Sequence, residues 1–151
     1  MFNDKGKQTS FMTCPHLIEL LLMKFKPGDN FNFLDIGGEK IDFYLDLKKK
    51  FSNVNYFLFN QKSMITPFYK IKNEFSYTDL HIINNMEEIF KKKYDFVNFG
   101  SCIQYIDNYE EFLKKITDIS KCIFFSATHL FDSSKDKFNK HLIVKQLNFY
   151  P

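Results

Sequence analysis

The stretch Phe31-Asn32-Phe33-Leu34-Asp35-Ile36-Gly37-Gly38 decides how this chain reads. Its apolar residues run together rather than alternating with polar ones. That pattern suits a strand covered on both faces, the environment of a parallel sheet with helices above and below it. The two glycines that end it suit a tight turn into a helix, because a residue without Cβ lets the backbone fold sharply and approach other groups closely. The helix follows in the sequence. Ile41, Tyr44, Leu45, Leu47 and Phe51 share one helical face, while Asp42, Asp46 and Lys48–Lys50 fall elsewhere. Upstream, Thr13 and Pro15 suit a helix start, and His16–Phe25 reads as a short apolar helix. Lys26-Pro27-Gly28-Asp29-Asn30 then reads as a turn.

The same alternation continues downstream. Val54–Phe59 reads as a second strand, Thr66-Pro67 as the start of a helix running to about Phe75, and Asp79–Ile83 as a third strand. Asn85 with Glu88 resembles a capping box opening a short helix to Lys93, and Tyr94–Phe99 is a fourth strand. Asp107 with Glu110 repeats the capping pattern. Behind it Tyr109, Phe112, Leu113, Ile116 and Ile119 form a stripe at helical spacing, and Cys122–Ser126 is a fifth strand. Strands alternating with helices through short loops imply right-handed crossovers and a parallel sheet. The expected fold class is therefore α/β, a Rossmann-like three-layer α/β/α domain with a mainly parallel sheet of order 3-2-1-4-5. Residues 1–30 would form an N-terminal arm and helix, and residues 31–151 the domain itself.

Composition narrows the function classes. The 151 residues suit one domain with one core, and 44% hydrophobic with 26% charged is ordinary for a folded globule. All 21 basic residues are lysines and the net charge is only +3. Without arginine there is no bidentate reader of bases or phosphates, so no nucleic-acid partner is expected. The lysine runs 48–50 and 91–93 close amphipathic segments, where cations complement the helix dipole and stay solvated. The three cysteines, Cys14, Cys102 and Cys122, show no ligand spacing. Cys102 and Cys122 read as buried core thiols, and no metal is expected. The polar start has no apolar signal core, and Leu17–Met23 is too short to span a bilayer. A cytoplasmic protein without a membrane partner is the expectation.

In a sheet of order 3-2-1-4-5 ligands bind beyond the carboxyl ends of the strands, at the switch point between the first and fourth. Two loops flank it, Asp35–Lys40 and Gly100–Tyr105. A dinucleotide fingerprint needs G-x-G-x-x-G, whereas this loop reads Gly37-Gly38-Glu39-Lys40-Ile41. Glu39 places negative charge where a pyrophosphate would sit. That argues against a nicotinamide dinucleotide and is compatible with a ligand lacking phosphate.

Three segments in order, Asn32–Gly38, Tyr94–Ile106 and Cys122–Ser126, resemble the first, fourth and fifth strand motifs of class I S-adenosylmethionine-dependent methyltransferases. More narrowly, Ser101, Gln104 and Tyr105 after the fourth strand, with Val144-Lys145-Gln146 and Phe149-Tyr150-Pro151 in the tail, are similar to bacterial methyltransferases associated with surface-polysaccharide gene clusters. The resemblance implies S-adenosylmethionine as cofactor. Asp35, Gly37 and Gly38 would hold its methionine end, Asn60 and Gln61 would face the ribose, Asn84 the adenine, and Gly100 and Ser101 would border the pocket. Gln104, Tyr105 and His129 would lie toward the acceptor, a small molecule or glycan-related compound; no catalytic residue is assigned. The resemblance also exposes departures. Glu39 and Ile41 stand where further glycines are usual, Asn60 or Gln61 where the ribose acid is usual, and Asn84 where an Asp is common. An Asp-Arg pair usual after the fifth strand is here Ser126-Ala127. Relative to that family the chain is C-terminally short by two strands, so it reads as a truncated or minimised domain. These departures sustain a rival reading, a catalytically inert Rossmann-fold remnant or binding module.

Other residues read as structural. His81 is expected to support the third strand, and Tyr44 to be core or pocket lining. Asp132, Asp136 and His141 have no metal spacing. A short chain would leave the fifth strand as an edge, with Ile123, Phe124 and Phe125 as a surface for self-association unless Lys140–Tyr150 folds back over it.

Overall fold

A computed structural model describes residues 15–126. In chain order the elements are α1 (Pro15–Lys24), β1 (Phe31–Ile36), α2 (Ile41–Lys50), β2 (Val54–Phe59), α3 (Lys62–Phe75) and β3 (Leu80–Ile83). They continue with α4 (Met86–Ile89), β4 (Phe96–Gly100), a 3-10 turn at Ile103–Tyr105, α5 (Tyr109–Ile119) and β5 (Ile123–Ser126). The five strands form one sheet of order β3-β2-β1-β4-β5, and every neighbouring pair is parallel. The α/β class and the 3-2-1-4-5 order are those expected from the sequence. The switch point falls between β1 and β4, where Asp35 lies opposite Asn98.

The sheet separates two cores. On one face Phe33, Tyr56 and Leu58 pack with Leu17 and Leu21 of α1, Phe43, Tyr44 and Leu47 of α2, and Ile65 and Phe68 of α3. On the other, Leu34, Phe57, Val97 and Phe99 pack with Ile89 of α4 and Phe112 and Ile116 of α5. Each strand supplies both cores from alternate residues, so apolar side chains occur on both of its faces. The high aromatic content is spent here. Phe33 stacks on Tyr56 at 5.5 Å and on Phe96 at 5.6 Å, tying β2, β1 and β4 together.

Several expectations need correction. Helix α3 begins at Lys62, not at Thr66, and Pro67 lies inside it. Burial of Ile65 and Phe68 on one face fixes this earlier start. The proline removes only the bond that would reach back to Ser63, which is exposed and can meet water instead. Helix α5 is not capped by Asp107. Its N-cap is Asn108 at φ 51°, a left-handed position that Asn tolerates better than most residues. Asn85 does cap α4, accepting the Glu87 amide at 3.0 Å, but the helix ends at Ile89 rather than Lys93. Phe43, outside the expected α2 stripe, is buried in the first core. Lys48 does not simply face solvent: it pairs with Asp79, which also accepts the Tyr44 hydroxyl bond at 3.0 Å. Tyr44 is thus core, with its hydroxyl satisfied. Cys102 and Cys122 are half-buried rather than enclosed in the core.

Candidate functional site

The site is built from the carboxyl ends of β1, β2 and β4. After Ile36 the backbone turns at Gly37, whose φ of +83° lies in the left-handed region. The Gly37 amide donates to the Phe59 carbonyl at 2.8 Å, so the turn is pinned to the end of β2. From the other side the Cys102 thiol donates to the Ile36 carbonyl at 3.1 Å. A Cβ at Gly37 would lie 2.6 Å from the Cys102 Cβ and 2.9 Å from the Gly100 carbonyl oxygen. A Cβ at Gly38 would lie 2.2 Å from an Asp35 carboxylate oxygen. Both glycines are therefore required by close approach at the switch point.

Asp35 is 3% exposed. Asn98 Nδ2 donates to its Oδ1 at 2.8 Å and the Tyr56 hydroxyl donates to its Oδ2. Burial is the largest influence on it and raises its pKa above the ordinary aspartate value, while those two hydrogen bonds act in the opposite direction. Asn98 in turn accepts from the Ser126 hydroxyl at 3.3 Å. A polar chain Tyr56–Asp35–Asn98–Ser126 thus crosses β2, β1, β4 and β5 directly beneath the glycine loop. Burial, the largest influence on it, pushes the Cys102 thiol up to about 12, so it is no thiolate nucleophile at neutral pH.

Other expected residues take varied positions. Asn60 joins the loop: its Nδ2 donates to the Gly38 carbonyl at 3.0 Å and its Oδ1 accepts from the Gln61 amide at 2.7 Å. Gln61 is exposed at the start of α3. Asn84, at the end of β3, accepts from the Tyr69 hydroxyl at 2.5 Å and stands two strands away from Asp35. Gly100 faces Gly37, and Ser101 follows at φ 53° with its amide donating to the Ser126 carbonyl at 2.9 Å. Gln104 Nε2 donates to the Ser101 carbonyl at 2.7 Å, and Tyr105 is exposed on the 3-10 turn. His129 lies outside the described residues, as do Asp132, Asp136, His141 and the Lys140–Tyr150 segment. His81 stacks on Phe57 at 4.5 Å, and burial and the nearby Lys72 and Lys92 lower its pKa. No group of three or more His, Cys, Asp or Glu among the described residues has the geometry of a metal site. No helix among them is long and apolar enough to cross a membrane.

Sequence reading missed Tyr56 and Asn98, and took Ser126 only as a departure after the fifth strand. The available signal was Asn98, a polar side chain inside an otherwise apolar fourth strand. Placing it opposite Asp35 required the register of β1 against β4.

The geometry has counterparts among solved structures. No family model matches the sequence, and no curated protein matches it. The bifunctional kinase-methyltransferase WbdD superposes with a TM-score of 0.58 at 15% identity, covering 83% of this chain and 30% of WbdD. Coclaurine N-methyltransferase, bound to N-methylheliamine and SAH (S-adenosylhomocysteine), gives 0.55 at 16% identity, covering 76% of this chain and 36% of the enzyme. The N-terminal domain of EvdMO1, determined in the presence of SAH and D-fucose, gives 0.60 at 13% identity over 82% of this chain and 56% of that one. The fold is the Rossmann-like fold of S-adenosylmethionine-dependent methyltransferases. At these identities the likeness speaks for the fold. The chain spans about a third of the length of the first two structures.

Proposed function

We propose that this chain is an S-adenosylmethionine-binding domain of the methyltransferase type, acting on a small-molecule or glycan-related acceptor. The observation that carries the reading is the glycine loop at the β1–β4 switch point. There Gly37 and Gly38 leave no room for side chains. A ligand without phosphate suits this loop, because exposed Glu39 stands beside it. Asp35, Gly37 and Gly38 would hold the methionine end, and Gly100 and Ser101 the opposite wall. Asn60 and Gln61 are the ribose-side candidates and Asn84 the adenine-side one. Gln104 and Tyr105 would border the acceptor. The cofactor's sulfonium supplies an electrophilic methyl, so the task left to the protein is alignment of donor and acceptor.

A second reading, a catalytically inert binding module, is favoured by one observation. Asn60 and Asn84 are already committed to Gly38 and Tyr69. Calorimetry with S-adenosylhomocysteine separates the two. Binding that is weakened more by Asp35→Ala than by Asn84→Ala supports the first reading. No heat at millimolar ligand with a folded protein supports the second.

A further inference from the structure

The buried chain beneath the glycine loop does more than fill space. Asp35 is almost wholly enclosed, yet among the described residues it forms no ion pair. Tyr56 reaches it from β2 and Asn98 from β4, Ser126 of β5 acts on it through Asn98, and the Cys102 thiol approaches from the loop after β4. None of these groups is a cation. The charged residues that follow the loop, Glu39 and Lys40, are exposed. A carboxylate removed from water without a counter-charge is costly, and the cost is relieved either by a proton or by a cationic group brought to it. Gly38 is the cover over Oδ2, and it covers with a hydrogen where any other residue would place a carbon.

We propose that the Asp35 carboxyl holds a proton in the ligand-free protein and releases it to solvent when a ligand's ammonium group settles at the glycine loop. Tyr56 and Asn98 act as positioning residues that orient the two oxygens. This rests on the reading that the loop takes the amino-acid end of a cofactor, and adds that proton and ammonium compete for one acid. Affinity for such a ligand then rises with pH until Asp35 is ionised in the free protein and is level above that point. The Tyr56 hydroxyl favours the ionised form by donating to it. Tyr56→Phe therefore moves the midpoint further up while leaving the acid in place. Asp35→Asn keeps the shape, because its amide can donate to the Tyr56 oxygen while its carbonyl accepts from Asn98. It has no proton to exchange.

Two measurements on the full chain test this. The first needs no ligand. Aspartate carboxyl carbons are labelled and followed by NMR against pH, with the Asp35 signal assigned by its loss in Asp35→Asn. The expected midpoint lies above that of exposed aspartates such as Asp42, and higher still in Tyr56→Phe. A midpoint in the ordinary carboxylate range overturns the proposal. The second is calorimetry with S-adenosylhomocysteine, below that midpoint, in two buffers of different ionisation enthalpy. Release of close to one proton per ligand is expected for the natural chain, and none for Asp35→Asn. Binding without proton release overturns the exchange and leaves the proposed function standing. A raised midpoint with no binding at any pH overturns the proposed function, and the exchange with it, while the buried neutral acid remains established by the first measurement.

Discussion

Substituting Gly37 by alanine tests the close approach of the two loops on which the site depends. Two costs combine. At φ +83° an L-residue is strained, by about 1–2 kcal/mol for the left-handed region. The new methyl would also lie 2.6 Å from the Cys102 Cβ, 2.8 Å from its sulfur and 2.9 Å from the Gly100 carbonyl oxygen. Overpacking of this kind costs about 1–3 kcal/mol as the neighbours shift. Together they give a destabilisation of about 2–5 kcal/mol. Urea unfolding monitored by circular dichroism reads this as a lower midpoint at an unchanged slope. The two costs separate in a double-mutant cycle with Cys102→Gly. That change removes both Cys102 contacts but leaves the Gly100 oxygen and the backbone strain. The pair should therefore be less destabilised than the sum of the single changes, by about 0.5–3 kcal/mol of coupling. A Gly37→Ala protein within about 0.5 kcal/mol of the natural chain, the range of an ordinary surface change, would refute both the loop conformation and its contact with Cys102.

Three further outcomes follow from other parts of the molecule. The Tyr94 hydroxyl is buried without a hydrogen-bond partner among the described residues, and burial pushes its pKa up to about 12. Tyr94→Phe should raise stability by about 1 kcal/mol by removing that unpaired group, and a loss of the same size in denaturant melts would contradict it. His81 has a folded pKa below its unfolded one, so the unfolded chain binds more protons and stability falls as pH drops through about 6.5. His81→Gln should flatten that part of the stability–pH curve, and an unchanged slope would remove His81 as its source. Phe125 of β5 is 39% exposed, and β5 ends the sheet on that side among the described residues. The expectation that Lys140–Tyr150 covers this edge is tested by trimming the chain after Lys135, which should then promote self-association in light scattering; two monomeric proteins of equal stability would exclude that role.

The amino-acid sequence by itself determined the fold class. Five short runs rich in apolar residues, alternating with helical stripes, admit few arrangements other than a parallel sheet covered on both faces. Right-handed crossovers then leave few strand orders, the expected 3-2-1-4-5 among them. It also determined where to look, because the carboxyl ends of the first and fourth strands are legible once that order is known. Helix ends were less legible. Pro67 and Asp107 carry strong local signals, yet burial of Ile65 and the left-handed turn at Asn108 outweighed them. Only the tertiary structure decided how Asp35 is used. In the sequence it is an acid before two glycines, open to any donor. In the fold it lies opposite Asn98 across one strand pair and beneath Gly38, bonded to a tyrosine twenty-one residues away. Strand register and the enclosure of a charge are properties of residues distant in sequence, and no local pattern records them.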